Sequence, residues 1–598
     1  MVKKPTVSIV TITQLKRFAC LEILQDIIRA QTYKNIIEWI VVEGSLSEDE
    51  ADQNMKQILQ MSNSIIKYLK RDGNEKLGAL RNKGNRACSG DITVVMDDDD
   101  FYPSTRIEHT VEKLSSSSAL IAGCSDMYIY DYTLEKLCKF KRFGPNHSIN
   151  SCMAWKKAYL EKHSHDPEKS TGEEPSFTND FKEPMVQLDP KKTAIQSSHS
   201  SNTFNKRELI TSGIVKLNDT LVEVDEPIQN YIPEPFFSRM KTLFCKRIKS
   251  PYDIVYFAGG YSMLWDPLSK SPTGSEQAII HLSSEWVKLG KKVAVYGNIK
   301  PMNYQGVDYF DWKTFPFDHE YSLVILWRVY GFLSAGSFPL KSDKIWLDLH
   351  DGEYIKHFME LWFRYSSRIH KVFFKSSIHK SLFEKALRVT VKNYIIIPNG
   401  VRIHEFSNTQ IQRNPYRFCY TSCYTRGLLY ILQYIWPVIY KAEPRAEFHI
   451  YSGMDSIQDY QFKNVMKQLL CLPGVMDHGR QPLELICREK YLSSFHLYIS
   501  ETDAETDCIP IKESILCGTI PLISTHGIFK EIDGIHFEVQ KENPITYTQA
   551  ALKIIELIKD PNLDIFRQTL RGSKSILSWN EVAKQWLSHV NTELLDLQ

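Results

Sequence analysis

Short apolar, β-branched runs alternate along the chain with segments of helical periodicity. Val7 to Thr13 (VSIVTIT), Ile37 to Glu43 (IEWIVVE), Ile65 to Leu69 and Ile92 to Met96 read as buried strands, and Leu21 to Ala30 repeats its apolar residues at helical spacing. This alternation predicts βαβ units and a mostly parallel sheet, with ligands bound beyond the carboxyl ends of the strands. From Leu217 to Lys249 the pattern weakens. Pro227, Pro233, Pro235 and the basic stretch MKTLFCKRIK predict a linker or a packed connector there.

A second series then begins. Asp253 to Phe257 is strand-like, SPTGSEQAIIHLSSEWVKLGKKVAVYG reads as loop, amphipathic helix and strand, and Ser322 to Leu326, Lys344 to Asp348, Lys371 to Phe374 and Tyr394 to Ile397 continue it. After IIIPNGVRIHEF, strands at Arg417 to Thr421, Ala446 to Tyr451, His496 to Ser500 and Thr519 to Ile523 predict another doubly wound sheet. The expected architecture is α/β throughout: one domain over 1–225, a linker over 226–250, and two Rossmann-like lobes over 251–405 and 406–598 with a ligand cleft between them.

The stretch that carries chemistry is ITVVMDDDDFYP, Ile92 to Pro103, an apolar strand ending in four aspartates. Like charges in a row repel, so the run is either splayed into solvent or held together by a cation. The apolar segment before it and the aromatic pair and proline after it favour the cation. Carboxylate oxygens suit Mg²⁺ or Mn²⁺, which keep coordination positions open for substrate phosphates. The strand end is therefore read as a nucleotide-phosphate site.

Length and charge narrow the picture further. A chain of 598 residues is too long for one core. With 73 Lys plus Arg against 71 Asp plus Glu, nothing demands a nucleic-acid partner. The amino terminus runs straight into a strand without the pattern of a signal peptide, and no apolar stretch is long enough to span a bilayer. The cysteines are scattered, and Cys419 and Cys423 lack a second pair at zinc-finger spacing. These features predict a cytoplasmic protein without a disulfide framework.

The order of motifs is more specific than any one of them. VSIVTIT, then VVEGSLSED, then GALRNKGNRACSGDITVVMDDDDFYP resembles the family-2 glycosyltransferases of the GT-A fold. The resemblance implies that Asp97, Asp98 and Asp99 supply metal and nucleotide-ribose contacts, with Asp97 and Asp99 at the Asp-x-Asp spacing, and that Thr11, Glu43 and Arg81 lie near the donor. The family usually carries an aspartate pair where this chain has Glu43-Gly44. It also implies a catalytic base at Glu173 or Glu174, in STGEEPSF, and a metal or diphosphate contact at His199. A carboxylate taking the acceptor's proton while a metal neutralises the departing diphosphate predicts a single displacement with inversion.

The second half resembles family-4 glycosyltransferases of the GT-B fold, through TGSEQAIIHLSSEWVKLGKKVAVYG, IPNGV, TSCYTRGLLYIL and ETDAETDCIPIKESILCGTIPLIS. Glu505 and Glu513 stand at the Glu-x7-Glu spacing of that family. The resemblance implies a catalytic-site role for Glu505, ribose contacts from Glu513 and a diphosphate contact from Arg426. The lysine often found shortly after that arginine is replaced by apolar residues. Gly274 is a candidate for close approach to a phosphate or a plain tight turn, and His350 for an acceptor-side residue or a hydrogen-bonded core histidine.

Together these features lead us to expect a bifunctional glycosyltransferase. Its amino-terminal half is metal-dependent and inverting, its carboxy-terminal half metal-independent and retaining, and both use UDP- or GDP-sugars with a glycan, glycolipid or glycoprotein acceptor. The alternatives are a chain in which only the first half is active, and a non-catalytic carbohydrate or nucleotide-sugar binding protein.

Overall fold

The computed structural model describes residues 4–591, except 62–64, 200–201, 203–205, 208–209, 211–220, 261–263, 270–273, 336–339, 353, 355, 407–410, 455–456, 458, 503–504 and 573–575. The chain divides into two compact units, 1–248 with 338–340, and 249–337 with 341–598.

The first unit is built on strands β1 (Val7–Thr13), β2 (Ile36–Glu43), β3 (Ile66–Leu69) and β4 (Ile92–Val95). They lie in the parallel order β3-β2-β1-β4. Every residue of β4 is buried, which is why it reads as an unbroken apolar run. Beyond β4 the sheet continues through β8 (Ala154–Lys156), β5 (Ile121–Gly123) and β9 (Met185–Gln187). The helix Leu77–Ala87 crosses β1 and β2 at close range. A Cβ on Gly84 would stand 2.6 Å from Val10 and 3.1 Å from Val42, so the missing side chain lets the helix seat and brings Arg81 to the strand ends.

A smaller sheet of β10 (Ile195–Ser198), β6 (Met127–Asp131), β7 (Lys136–Phe140) and β11 (Leu221–Glu223) faces the aspartate run. Phe101 and Ile195 exchange backbone hydrogen bonds of 3.0 and 2.9 Å, which ties the end of the run to β10. Within the expected linker 226–250, the helix Phe236–Phe244 is part of this unit. It buries Phe237, Met240 and Phe244, and the Phe244 ring stacks on His199 at 4.0 Å.

The second unit holds two parallel sheets. One runs Met302–Tyr304, Val307–Asp311, Val293–Gly297, Ile254–Phe257, His319–Trp327, Lys341–Asp348, Lys371–Phe374 and Tyr394–Ile396, the first pair antiparallel and those that follow parallel, and Ile248–Lys249 adds to it beside His319–Trp327. The other runs Val475–Asp477, Glu447–Ile450, Asn414–Tyr420, Ser493–Tyr498, Ile520–Ser524 and Ile535–Phe537, parallel throughout. The expected 406–598 lobe needs one amendment. The closing helix Trp579–Asn591 packs into the core of the first of these sheets, where Trp586 stacks on Phe373 at 3.7 Å. Among the described residues no helix is long and apolar enough to cross a membrane.

Candidate active site

The four aspartates leave β4 at its carboxyl end and part company at once. Asp97 receives Arg81 Nη1 at 3.2 Å, and the Asp97 amide donates to the Tyr102 hydroxyl at 2.6 Å. Asp98 accepts from Thr13 Oγ1 at 2.8 Å and from Arg17 Nη1 at 3.0 Å. Asp99 accepts from the same Arg17 nitrogen at 3.0 Å and from Asn202 Nδ2 at 3.1 Å, and it meets His199 Nε2 at 3.2 Å. Asp100 accepts from the Ser197 amide at 2.9 Å and lies 3.7 Å from Lys206 Nζ. The run is thus shared among partners on β1, β10, the helix Leu77–Ala87 and the flanking segments.

Crowding and burial set the charge state. Burial, reinforced by Asp99 against the pull of Arg17, pushes the Asp98 carboxyl up to about 7. Burial and neighbouring aspartates push Asp100 to about 6 against Lys206. Asp99 moves the other way despite its burial, because His199, Arg17 and Lys206 favour its charged form.

Glu173 and Glu174 open a short helix, Glu174–Phe177, beside this cluster. Glu173 is buried and accepts from Arg81 Nε at 2.5 Å, so one guanidinium joins it to Asp97. Glu174 accepts from the Asn150 amide at 3.3 Å, and burial followed by repulsion from Glu173 raises its carboxyl above the ordinary range. A cavity of about 520 Å³ takes in Asp97–Asp100, Arg17, Arg81, Lys206, Glu173 and Glu174. Acids that can bind a cation, cations that can hold phosphate and a carboxylate able to take a proton therefore share one space.

Residues 8–163 match the family model for glycosyl transferase family 2. Residues 8–163 of the first unit are a glycosyl transferase family 2 domain. No curated protein matches the chain. Solved structures similar to parts of this glycosyltransferase include HepE of Anabaena in complex with UDP and glucose, at 14% identity and a TM-score of 0.44, covering 57% of this chain and 100% of that one. Sucrose-phosphate synthase of Thermosynechococcus elongatus is similar at 10% identity and a TM-score of 0.46, covering 58% and 99%. A glycosyltransferase of Rickettsia africae is similar at 12% and 0.45, covering 58% and 99%.

Not every residue expected at the glycosyltransferase site reaches its cavity. Thr11 is fully buried, donating to the Met96 carbonyl at 2.6 Å and accepting from Trp39 Nε1 at 2.9 Å, while Thr13, at the end of β1, lines the cavity. Glu43 is fully buried and caps the next segment, accepting from the Ser45 amide at 2.7 Å and from Asn54. Asp97, Asp99 and His199 do not form a ready-made cage. Asp99 and His199 touch, Asp97 turns toward Arg81, and among the described residues no three His, Cys, Asp or Glu converge as a metal cluster. Three contributors carry no motif: Arg17, Lys206 and Asn150. The parallel pairing of β1 with β4 is the signal that places Arg17, just past β1, beside the aspartates.

In the second unit Arg426 donates to Glu505, which also accepts from the Tyr498 hydroxyl at 2.5 Å. Gly427 follows with φ +89°, and a Cβ there would stand 2.6 Å from the Ile499 carbonyl, so glycine permits the turn that presents Arg426. Glu513 accepts from Lys490 Nζ at 2.5 Å, with Arg402 3.8 Å away, inside a pair of packed helices. Gly274 starts the helix Gly274–Lys288 with nothing within 4 Å of a would-be Cβ. His350 is buried and bonded to Asp348 at 3.0 Å, and Asp348 also takes Lys375 Nζ at 2.5 Å.

Proposed function

We propose that the first unit transfers a sugar from a UDP- or GDP-sugar to a hydroxyl of a glycan, glycolipid or glycoprotein acceptor, in one displacement with inversion. The observation that carries this reading is the convergence of the strand-end aspartates, Arg17, Arg81, Lys206 and the Glu173–Glu174 pair on one cavity. Glu174 is the base. Its raised carboxyl is suited to taking the acceptor's proton as the hydroxyl attacks the sugar carbon, whereas Glu173 is committed to Arg81 and acts as a positioning group.

The donor set fits a hard divalent ion, Mg²⁺ or Mn²⁺. Six carboxylates face three cationic side chains in this cavity, an imbalance that a divalent cation would offset. Asp97 and Asp99 would hold the ion, with His199 and Asn202 orienting Asp99. When bound, it supplies positive charge for the departing diphosphate. Arg17 and Arg81 add fixed cations at the same end.

For the second unit we propose metal-independent, retaining transfer with Arg426 and Glu505 on the donor. A second reading, that this unit is a binding module without transfer activity, is favoured by its ion pairs. Arg426 is matched by Glu505 and Glu513 by Lys490. Incubating the full chain with UDP- and GDP-sugars, with Mn²⁺ or EDTA, and following diphosphate release tests both readings. Metal-dependent release lost in Glu174→Gln supports transfer by the first unit, and EDTA-resistant release lost in Glu505→Gln supports transfer by the second.

A further inference from the structure

The glycosyltransferase cavity has an aromatic end that the transfer chemistry does not use. Phe140 and Phe143 line it together with His147, Met127 and Ile129. Phe143 lies 6.1 Å from Phe140 and 4.9 Å from His147, and His147 lies 4.6 Å from Phe181, so four rings form a row. Phe143 is 55% exposed, so much of its ring is open to a ligand.

Two loops are built to hold this row. In the first, buried Ser125 Oγ accepts from the amides of Phe143 at 2.8 Å and Gly144 at 3.2 Å, and Gln187 Nε2 donates to the carbonyls of Pro145 at 2.8 Å and His147 at 3.2 Å. The exposed ring therefore stands on a pinned backbone. In the second, Asn179, Asp180 and Phe181 have φ of 51°, 53° and 57°, three successive residues in a region that side-chain-bearing residues rarely adopt. Thr178 Oγ1 accepts from the Phe181 amide at 3.2 Å, and the Asp180 amide donates to the Pro175 carbonyl at 2.7 Å. This turn follows directly on the Glu174 helix and sets Phe181 against His147. Three residues past His147, the Asn150 amide reaches Glu174, so the rings connect to the base.

We propose that this row is an acceptor subsite for a saccharide, with a sugar ring stacked on Phe143 and its hydroxyl directed to Glu174. A pyranose has an apolar face of C–H groups that packs on an aromatic plane, and a fixed, open ring beside a proton acceptor offers that plane together with the chemistry. The acceptor would then already carry sugar. A bare lipid would need an apolar wall but no flat ring. A nucleobase would draw on the same ring but would change donor affinity.

The inference rests on the transfer reading, and the test separates the two. The full-length protein and its Phe143→Ala, Phe143→Leu and Phe143→Tyr variants are applied to a printed array of mono- to hexasaccharides, and UDP and GDP affinity is measured by calorimetry with Mn²⁺. The expected result is saccharide binding by the parent, kept by Phe143→Tyr and weakened about tenfold or more by both Phe143→Ala and Phe143→Leu, with nucleotide affinity the same in all four. Unweakened binding in Phe143→Ala, full binding in Phe143→Leu, a loss of nucleotide affinity in Phe143→Ala, or no saccharide bound by the parent would each overturn the subsite. Failure of every form to bind nucleotide while Phe143-dependent saccharide binding persists would instead remove the transfer reading and leave the subsite standing.

Discussion

Arg81 donates from Nε to Glu173 at 2.5 Å while its Nη1 reaches Asp97 at 3.2 Å. The loop that carries Glu173 and the proposed base Glu174 and the strand end that carries the aspartates are therefore set by one side chain. Lysine keeps the charge but has no planar fork to serve both carboxylates. We expect Arg81→Lys to lower kcat by about 10²-fold, the scale of an ångström-sized misplacement, with only a small fall in Tm. Arg81→Met would strand buried Glu173 and cost about 3–5 kcal/mol in chemical denaturation. Equal activity in Arg81→Lys and the parent would argue against the shared-anchor role.

Glu174 sets a pH signature. Its carboxyl is raised by burial and then by Glu173, and as the proposed base it would work deprotonated, so activity is expected to fall as pH drops through a value above the ordinary glutamate range. The same shift means that the protonated form is the one favoured by folding, and this contribution fades as pH rises through the raised value. Glu174→Gln imitates the protonated acid. It should lose about 10²–10⁴-fold in kcat, keep donor affinity, remove Glu174's own share of the acid limb while leaving that of Asp98 and Asp100, and melt no lower than the parent at neutral pH.

The Lys490–Glu513 pair in the second unit offers a test of stability without reference to activity. Its side chains are 0% and 6% exposed. Among the described residues, Lys490→Met leaves Glu513 with the more distant Arg402, and it should cost about 3–5 kcal/mol in urea unfolding. Lys490→Met with Glu513→Leu removes both charges and should recover most of that loss. A double variant as unstable as the single one would show that the charge pair is not the source.

Much of the fold was legible because strands buried on both faces must be apolar runs. Val7–Thr13 and Lys371–Phe374 fall at the bounds that the pattern predicts. The β6–β7–β10–β11 sheet and the return of Trp586 to an earlier core were not legible. The first is made of strands of three to five residues, and the second is a long-range contact that leaves no local period. At the site, the aspartate run and the Glu173–Glu174 pair announce themselves by composition. Arg17 and Lys206 do not, because their role arises only from strand order and a distant loop. Thr11 illustrates a limit of a different kind: alternation along a strand gives the face, and only tertiary packing shows that Thr11 is bonded to Met96 and Trp39 while Thr13, also buried, reaches Asp98 and the cavity.

We propose that the aspartate cluster of the first unit is a metal-dependent nucleotide-sugar site. Calorimetric titration of UDP and GDP into the full-length protein, with Mn²⁺ and again with EDTA, tests it most directly. The expected result is a binding component for one of the two nucleotides that needs the metal, weakens at least about tenfold in Asp97→Asn and Asp99→Asn, and survives in Glu505→Gln. Nucleotide binding that ignores EDTA and both aspartate changes but disappears in Glu505→Gln would contradict it and move the chemistry to the second unit.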